Sequence, residues 1–187
     1  MQRGEGKRAL VVMGDGVEEL EAVAPIDLLR RAGVAVTVAS REEQREVRGR
    51  NGLTLAADVL LDALAGQRFD CIIIPGGPQV AAARKDSRVL ELVHGHAVDG
   101  RLVGAICAAP LVLADAGILE GKRYTGHATI ADELPELAEQ PVVVDGDIIT
   151  SRGAGTAVAF GLALVKAMCG AETAREVAGS IHAEERA

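Results

Sequence analysis

Short apolar runs rich in β-branched residues alternate with longer amphipathic segments along this chain. The short runs have the length of buried strands, and the longer segments have the 3.6-residue period of helices. The pattern predicts strands at residues 9–13, 34–40, 53–61, 69–77, 101–106 and 122–126, and helices at residues 18–33, 79–98, 109–117, 156–168 and 172–182. An Asp-Gly turn between two alternating runs predicts a hairpin at 142–153. Strands that alternate with helices indicate an α/β sandwich, with a mostly parallel sheet covered on both faces.

Composition fits one globular domain over residues 1–187, because 49% of the chain is hydrophobic and 25% is charged. Only one Tyr, two Phe and no Trp are present, so the core must be aliphatic and a base-stacking surface is not expected. The net charge of −7 argues against a nucleic acid or an anionic membrane as a stable partner.

The expected compartment is the cytoplasm. The first eight residues, MQRGEGKR, lead directly into a short apolar strand rather than a secretory signal, and no apolar run approaches the ~20 residues of a membrane span. The three cysteines, Cys71, Cys107 and Cys169, are odd in number and far apart. This spacing argues against a disulfide framework or a zinc site.

Cys107 occupies the most informative position, in the stretch VGAICAAP where a predicted strand passes directly into a helix. Small neighbours are what a tight strand–turn–helix junction needs, as in a nucleophile elbow. The helix dipole there predicts a lowered thiol pKa, and the same amides could bind an oxyanion. The residues alone leave two readings open, a nucleophile or a buried core cysteine. Cys71 and Cys169 lack this context and are expected to be packing residues.

Three carboxylates open the first predicted helix, where the helix dipole alone favours negative charge. Projection at about 100° per residue places Glu21 in an apolar wedge and Glu19 on a polar edge beside Arg30. A carboxyl group in an apolar wedge should have a raised pKa and could exchange a proton with a thiol. Glu21 is therefore the predicted partner of Cys107, with Glu18 as second choice.

Two further strand ends could contribute to a site. Gly76 and Gly77 end the predicted strand at 69–77 and could aim backbone N–H groups into a cleft. His127 follows the predicted strand at 122–126, where a proton carrier would be useful, although a lone histidine is more often structural. His94 and His96 are two residues apart on a helix, so they do not form a metal pair.

The run TSRGAGT at 150–156 lacks the lysine and the spacing of a phosphate loop. Its glycines are expected to shape the turn into the next helix, with Arg152 as an anion contact or a surface residue. Nucleotide binding is therefore a weak hypothesis.

Four blocks together resemble the ThiJ/PfpI superfamily, in the branch that holds the parkinsonism-associated deglycase and its bacterial relatives. They occur in the family's order at residues 7–33, 72–77, 104–110 (GAICAAP) and 149–157 (ITSRGAGTA), and the similarity spans about 7–170. The resemblance implies a flavodoxin-like three-layer sandwich and a homodimer.

The same resemblance implies a site. It matches Cys107 to the reactive cysteine, Glu21 to its acidic partner, and His127 to a histidine found in some members. It implies that Gly77 and Ala108 supply anion-binding amides, with Gly76 shaping the turn. Whether Arg48 or Arg50 matches a family arginine is left open.

The function implied is a cofactor-independent glyoxalase or deglycase that acts on methylglyoxal, glyoxal or their adducts and needs no metal, nucleotide or glutathione. The alternative is an oxidation-sensing or holdase protein that uses the same thiol without turnover. Protease-like members carry a histidine directly after the cysteine. Ala108 stands there in this chain, which argues against a cysteine peptidase.

Overall fold

The computed structural model describes residues 4–183 and contains a seven-stranded sheet with helices on both faces. The sheet is built from β1 (Arg8–Met13), β2 (Ala35–Ser40), β5 (Val59–Leu60), β6 (Cys71–Ile74), β7 (Leu102–Ile106), β8 (Val142–Asp145) and β9 (Ile148–Ser151). Strands β3 (Glu46–Arg48) and β4 (Thr54–Ala56) form a separate antiparallel hairpin. The helices are α1 (Glu19–Arg31), α2 (Val80–Ala83), α3 (Ser87–Val98), α4 (Pro110–Asp115), α5 (Ala157–Cys169) and α6 (Ala171–Ser180).

The strand order is β5-β2-β1-β6-β7-β9-β8, and only β8 runs antiparallel to its neighbour. Counted along the chain, the parallel strands β2-β1-β6-β7-β9 have the 2-1-3-4-5 order of flavodoxin-like sheets. The predicted flavodoxin-like fold is confirmed.

Two apolar cores lie on opposite faces of the sheet, because successive strand residues point to opposite sides. In β1, Val11 packs in the core that contains Leu28 of α1 and Phe160 of α5. Its neighbour Leu10 packs in the other core, with Val93 of α3 and residues of α4. These two cores make the three layers that the sequence predicts.

Two predicted elements are wrong in part. The helix expected at 79–98 is split into α2 and α3, because the Asp86 side chain accepts a hydrogen bond from the Arg88 amide at 3.1 Å and starts a new helix. The strand expected at 122–126 is reduced to one bridge between Tyr124 and Leu137. There the Thr125 amide donates to the Thr150 hydroxyl at 2.9 Å instead of to a strand backbone.

The polar segment at 41–52 and the strand predicted at 53–61 together form the β3–β4 hairpin and β5. The hairpin packs against the start of α1: the Gly16 amide donates to Arg48 O at 2.7 Å, and the Arg50 amide donates to Val17 O at 2.9 Å. The hairpin therefore borders the carboxyl end of β1. The predicted β8–β9 hairpin and the final two helices are confirmed.

The strands β2 and β5 are added on one side of β1, and the later strands are added on its other side, beginning with β6. This reversal of strand order leaves a crevice outside the carboxyl ends of β1 and β6. The loop after β1, the glycines after β6 and Cys107 after β7 all meet at this edge. None of the helices within residues 4–183 is long and apolar enough to cross a membrane.

Candidate active site

Cys107 lies at a strained elbow between β7 and α4. Its φ is +66°, a left-handed conformation that non-glycine residues rarely adopt. The turn is held on both sides, because the Cys107 amide donates to Ser151 O at 2.9 Å and its carbonyl accepts from the His127 amide at 2.8 Å. Gly76 lies directly against the elbow, where an added Cβ would come within 2.6 Å of the Cys107 Cβ. The predicted nucleophile elbow is therefore present in the backbone.

The Glu21 carboxyl group lies buried beside the Cys107 thiol, with which it shares a hydrogen bond. Its Oε2 accepts from the Gly76 amide at 2.9 Å, and its own amide donates to the Glu18 carboxylate at 2.9 Å. Burial raises the pKa of Glu21 to about 7, and the nearby Glu18 charge adds to the rise. The hydrogen bonds from Cys107 and Gly76 and the Arg50 charge act against it. The predicted raised pKa is confirmed.

The prediction of a lowered thiol pKa at Cys107 is wrong. Burial raises that pKa to about 12, and the Glu21 carboxyl group raises it further. The amides of Gly77 and Ala108 hydrogen-bond the sulfur and act in the opposite direction, but they do not outweigh burial. Helix α4 has only six residues, so its dipole does little to offset the effect of burial on the thiol. The Cys107 thiol and the Glu21 carboxyl group therefore titrate as a coupled pair, in which burial and mutual repulsion disfavour the ionisation of both groups together.

This arrangement can still generate a nucleophile, because Glu21 can accept the thiol proton as the sulfur attacks. The amides of Gly77 and Ala108 converge on the sulfur, where they could stabilise an oxyanion that develops beside it. Gly77 has a φ of +91°, and an added Cβ would overlap Gly16 O and the Glu18 amide. Glycine is therefore required at that position.

His127 lies exposed at the rim of the site. Its ring Nδ1 lies 2.9 Å from the Thr129 hydroxyl oxygen. Its Cδ2 lies 3.5 Å from the point that a Cβ on Gly153 would occupy, and Glu21 Oε1 lies 3.8 Å from the same point. His127, Glu21 and Cys107 are therefore brought together, as the sequence predicts.

Several site residues differ from the sequence prediction or were missed. Glu19 is buried rather than beside Arg30, and it is held by Asn51, whose amide and side chain donate to it at 2.8 and 2.9 Å. The burial of Glu19 needs the β3–β4 hairpin, which a projection of one helix does not include. Arg50, rather than Arg48, is the arginine whose charge acts on Glu21.

Gly153 also borders the site, which gives the 150–156 segment a place at its rim. The signal for it in the sequence was the position of this glycine-rich run after a strand. Arg152 is exposed, and its guanidinium lies 3.5 Å from Glu139 O.

The other cysteines and histidines lie outside the site. Cys71 is fully buried in β6, and the half-buried Cys169 packs against one core. His94 and His96 bond different carbonyl oxygens, those of Ala116 and Leu92. Within residues 4–183, His, Cys, Asp and Glu side chains form no group of three or more that could hold a metal ion.

Comparison with known proteins places this geometry in a family. The profile described as DJ-1/PfpI family matches residues 7–167. The chain is 42% identical to Protein DJ-1 homolog A of Arabidopsis thaliana over 91% of its own length and 45% of that protein. It is 31% identical to Deglycase TK1284 of Thermococcus kodakarensis, covering 85% of this chain and 98% of that one.

A solved structure of Toxoplasma gondii DJ-1, oxidized, superposes with a TM-score of 0.91 at 34% identity, over 95% of this chain and 98% of the other. The chain spans less than half the length of Arabidopsis homologs A and B. The family profile covers the elbow, Glu21 and His127 alike, so the chain belongs to the DJ-1/PfpI family.

Proposed function

We propose that this protein is a cofactor-independent glyoxalase or deglycase, which converts methylglyoxal, glyoxal or their adducts with amines and thiols into hydroxyacids. The observation that carries the proposal is the hydrogen-bonded pair of Cys107 and Glu21, in which the carboxyl group has a pKa of about 7. A base of that pKa accepts a proton efficiently at neutral pH. The similarity to a protein named as a deglycase supports the same chemistry.

In the first step, the Cys107 sulfur forms a bond to the aldehyde carbon of methylglyoxal, and the thiol proton passes to the Glu21 carboxylate. The carbonyl π electrons move onto the aldehyde oxygen, where the amides of Gly77 and Ala108 stabilise the charge. Glu21 then returns its proton to that oxygen. The product is a hemithioacetal, and the carboxylate is regenerated.

In the second step, Glu21 removes the hydrogen on the former aldehyde carbon, and the electrons flow through an enediolate onto the ketone oxygen. Glu21 delivers the proton to the ketone carbon, while His127 passes the hemithioacetal hydroxyl proton to the ketone oxygen. A thioester of lactate on Cys107 results. Water cleaves it and restores the thiol, so methylglyoxal plus water gives lactic acid with no oxidant or reductant.

The test is proton NMR of methylglyoxal incubated with the protein in buffer that contains a metal chelator. We expect lactate from the wild type and none above the uncatalysed rate from Cys107→Ala. The matched control is Cys71→Ala, which removes a thiol outside the site and should retain turnover. Full turnover by Cys107→Ala would refute the proposal.

A second candidate function is oxidation sensing or holdase activity through the same thiol. The observation that favours it is the position of Glu21, whose protonated carboxyl group could donate to a sulfinate on Cys107. A solved relative is itself described as oxidized. Mass spectrometry after peroxide treatment separates the two functions: addition of two oxygens at Cys107 with negligible lactate formation would favour sensing.

The partner proposed is a second copy of this chain. Leu20 and Val23 on α1 are 61% and 46% exposed, and Val158 on α5, which packs against α1, is 44% exposed. Apolar side chains that remain exposed on adjoining helices are typical of an interface. Analytical ultracentrifugation should detect a dimer, and Leu20→Lys should weaken it; a monomer at all concentrations would refute this assignment.

A further inference from the structure

Thr129 holds one edge of the His127 ring. His127 caps the short 3-10 turn at Ala128–Ile130, and its Nδ1 accepts a hydrogen bond from the Thr129 amide at 3.3 Å. The Thr129 hydroxyl oxygen lies 2.9 Å from the same nitrogen. A backbone amide can only donate, so Nδ1 must present its lone pair to Thr129.

The opposite edge of the ring faces the site. Cδ2, which is bonded to Nε2, lies close to Gly153, and Glu21 Oε1 approaches the same glycine. The His127 amide is fixed to the carbonyl of Cys107 at 2.8 Å, so the ring is anchored to the elbow through its own backbone. Of the two ring nitrogens, Nε2 is the one on the edge toward the site.

We infer that Thr129 is a positioning residue that fixes neutral His127 in the tautomer with its hydrogen on Nε2. The inference rests on the proposed function, and it implies that His127 first donates a proton and only then accepts one. Nε2–H donates to the ketone oxygen as the enediolate forms, and Nε2 is then reprotonated by the hydroxyl group on the neighbouring carbon. Neutral imidazoles serve this electrophilic role in other enzymes that pass through an enediol. Glu21 alone then breaks and forms the carbon–hydrogen bonds.

The direct test is a long-range proton–nitrogen correlation spectrum of uniformly ¹⁵N-labelled wild-type protein at alkaline pH. The His127 signals are assigned by their loss in His127→Gln. We expect the downfield, unprotonated nitrogen to be Nδ1 and the protonated nitrogen to be Nε2. The reverse assignment, with the hydrogen on Nδ1, would overturn the inference whatever the activity of the protein.

The kinetic test compares two substitutions at the exposed Thr129. Thr129→Val removes the hydroxyl group, and we expect kcat for methylglyoxal to fall about fivefold with little change in KM. Thr129→Ser restores the hydroxyl group and should restore kcat. The matched control, Thr173→Val on α6, lies outside the site and should behave as wild type.

Thermal unfolding of each variant shows whether Thr129→Val is folded. A folded Thr129→Val protein with wild-type kcat would refute a positioning role of the Thr129 hydroxyl group, because the variant keeps the backbone amide. If wild-type protein forms no lactate, the proposed function fails, but the nitrogen spectrum still decides the tautomer. The two failures are therefore distinguishable.

Discussion

Cys107 and Cys71 show how differently two thiols can be placed relative to one sheet. Burial raises the thiol pKa of both residues, so a low pKa is not what distinguishes them. Cys71 is sealed inside β6, where its thiol lies 3.7 Å from Ile72 O. Cys107 is partly exposed at a strand end, beside the Glu21 carboxyl group and two backbone amides.

The comparison teaches that the chemical difference between these thiols comes from the neighbouring base and from access. Glu21 can take the proton of Cys107 during an attack, whereas Asp70, a charged neighbour of Cys71, accepts a hydrogen bond from the Arg8 amide instead. Three experiments test this contrast.

The largest expected effect is on alkylation by iodoacetamide. Cys71 should react about 1000-fold more slowly than Cys107, because its exposure requires unfolding that costs about 5 kcal/mol or more, whereas Glu21 accepts the proton of Cys107 as the sulfur attacks. Peptide mass spectrometry over a time course measures both rates. In urea-unfolded protein the two rates should converge, which serves as the control. Similar rates in the folded protein would contradict the burial of Cys71.

The next effect is on turnover by Glu21→Gln. Loss of the base should lower kcat/KM for methylglyoxal by about 10²–10⁴-fold. In wild type, kcat/KM should rise with pH to a plateau through about pH 7, because Glu21 must lose its proton before it can accept one. The variant should lack this rise.

The control for that experiment is Glu91→Gln, which alters an exposed carboxylate on α3. It should keep both the rate and the pH dependence of wild type. If kcat/KM of Glu21→Gln rose with pH as it does in wild type, the titrating group would be one other than Glu21.

The smallest effect is on stability. The pKa of Glu21 is raised from 4.5 to about 7 on folding, so folded protein binds the proton more tightly than unfolded protein. The contribution to stability is fully present below about pH 4.5 and is lost as the pH rises through 7, by at most about 3 kcal/mol.

Urea unfolding at pH 5 and pH 8 measures this loss. The free energy of unfolding of Glu21→Gln, relative to wild type, should be greater at pH 8 than at pH 5. If the free energies of unfolding of Glu21→Gln and wild type differed by the same amount at pH 5 and pH 8, folding would not raise the pKa of Glu21.

Much of the fold could be predicted because local patterns carry it. Buried parallel strands such as β1 and β6 are continuous apolar runs, and their alternation with helices determines the layered sheet. The short strand expected at 122–126 failed because the hydrogen bonds of Thr125 go to Thr150 and to Ala138, which sequence periodicity does not reveal.

The site was predictable where one segment determines it. The small residues around Cys107 indicate the elbow, and the helical projection of Glu21 identifies its buried carboxyl group. The resemblance to the family strengthened both assignments. Properties that depend on contacts between distant segments were missed. They are the raised pKa of the thiol beside Glu21 and the hydrogen bonds from Asn51 to Glu19.

The two hydrogen bonds that tie the Cys107 backbone to Ser151 and His127 have a further consequence. A fragment attached to the sulfur cannot gain room by relaxation of the main chain, which is pinned on both flanks and packed against Gly76. Space for it must come from rotation of surrounding side chains. The backbone of the elbow therefore leaves beside the sulfur only the room that these side chains can open.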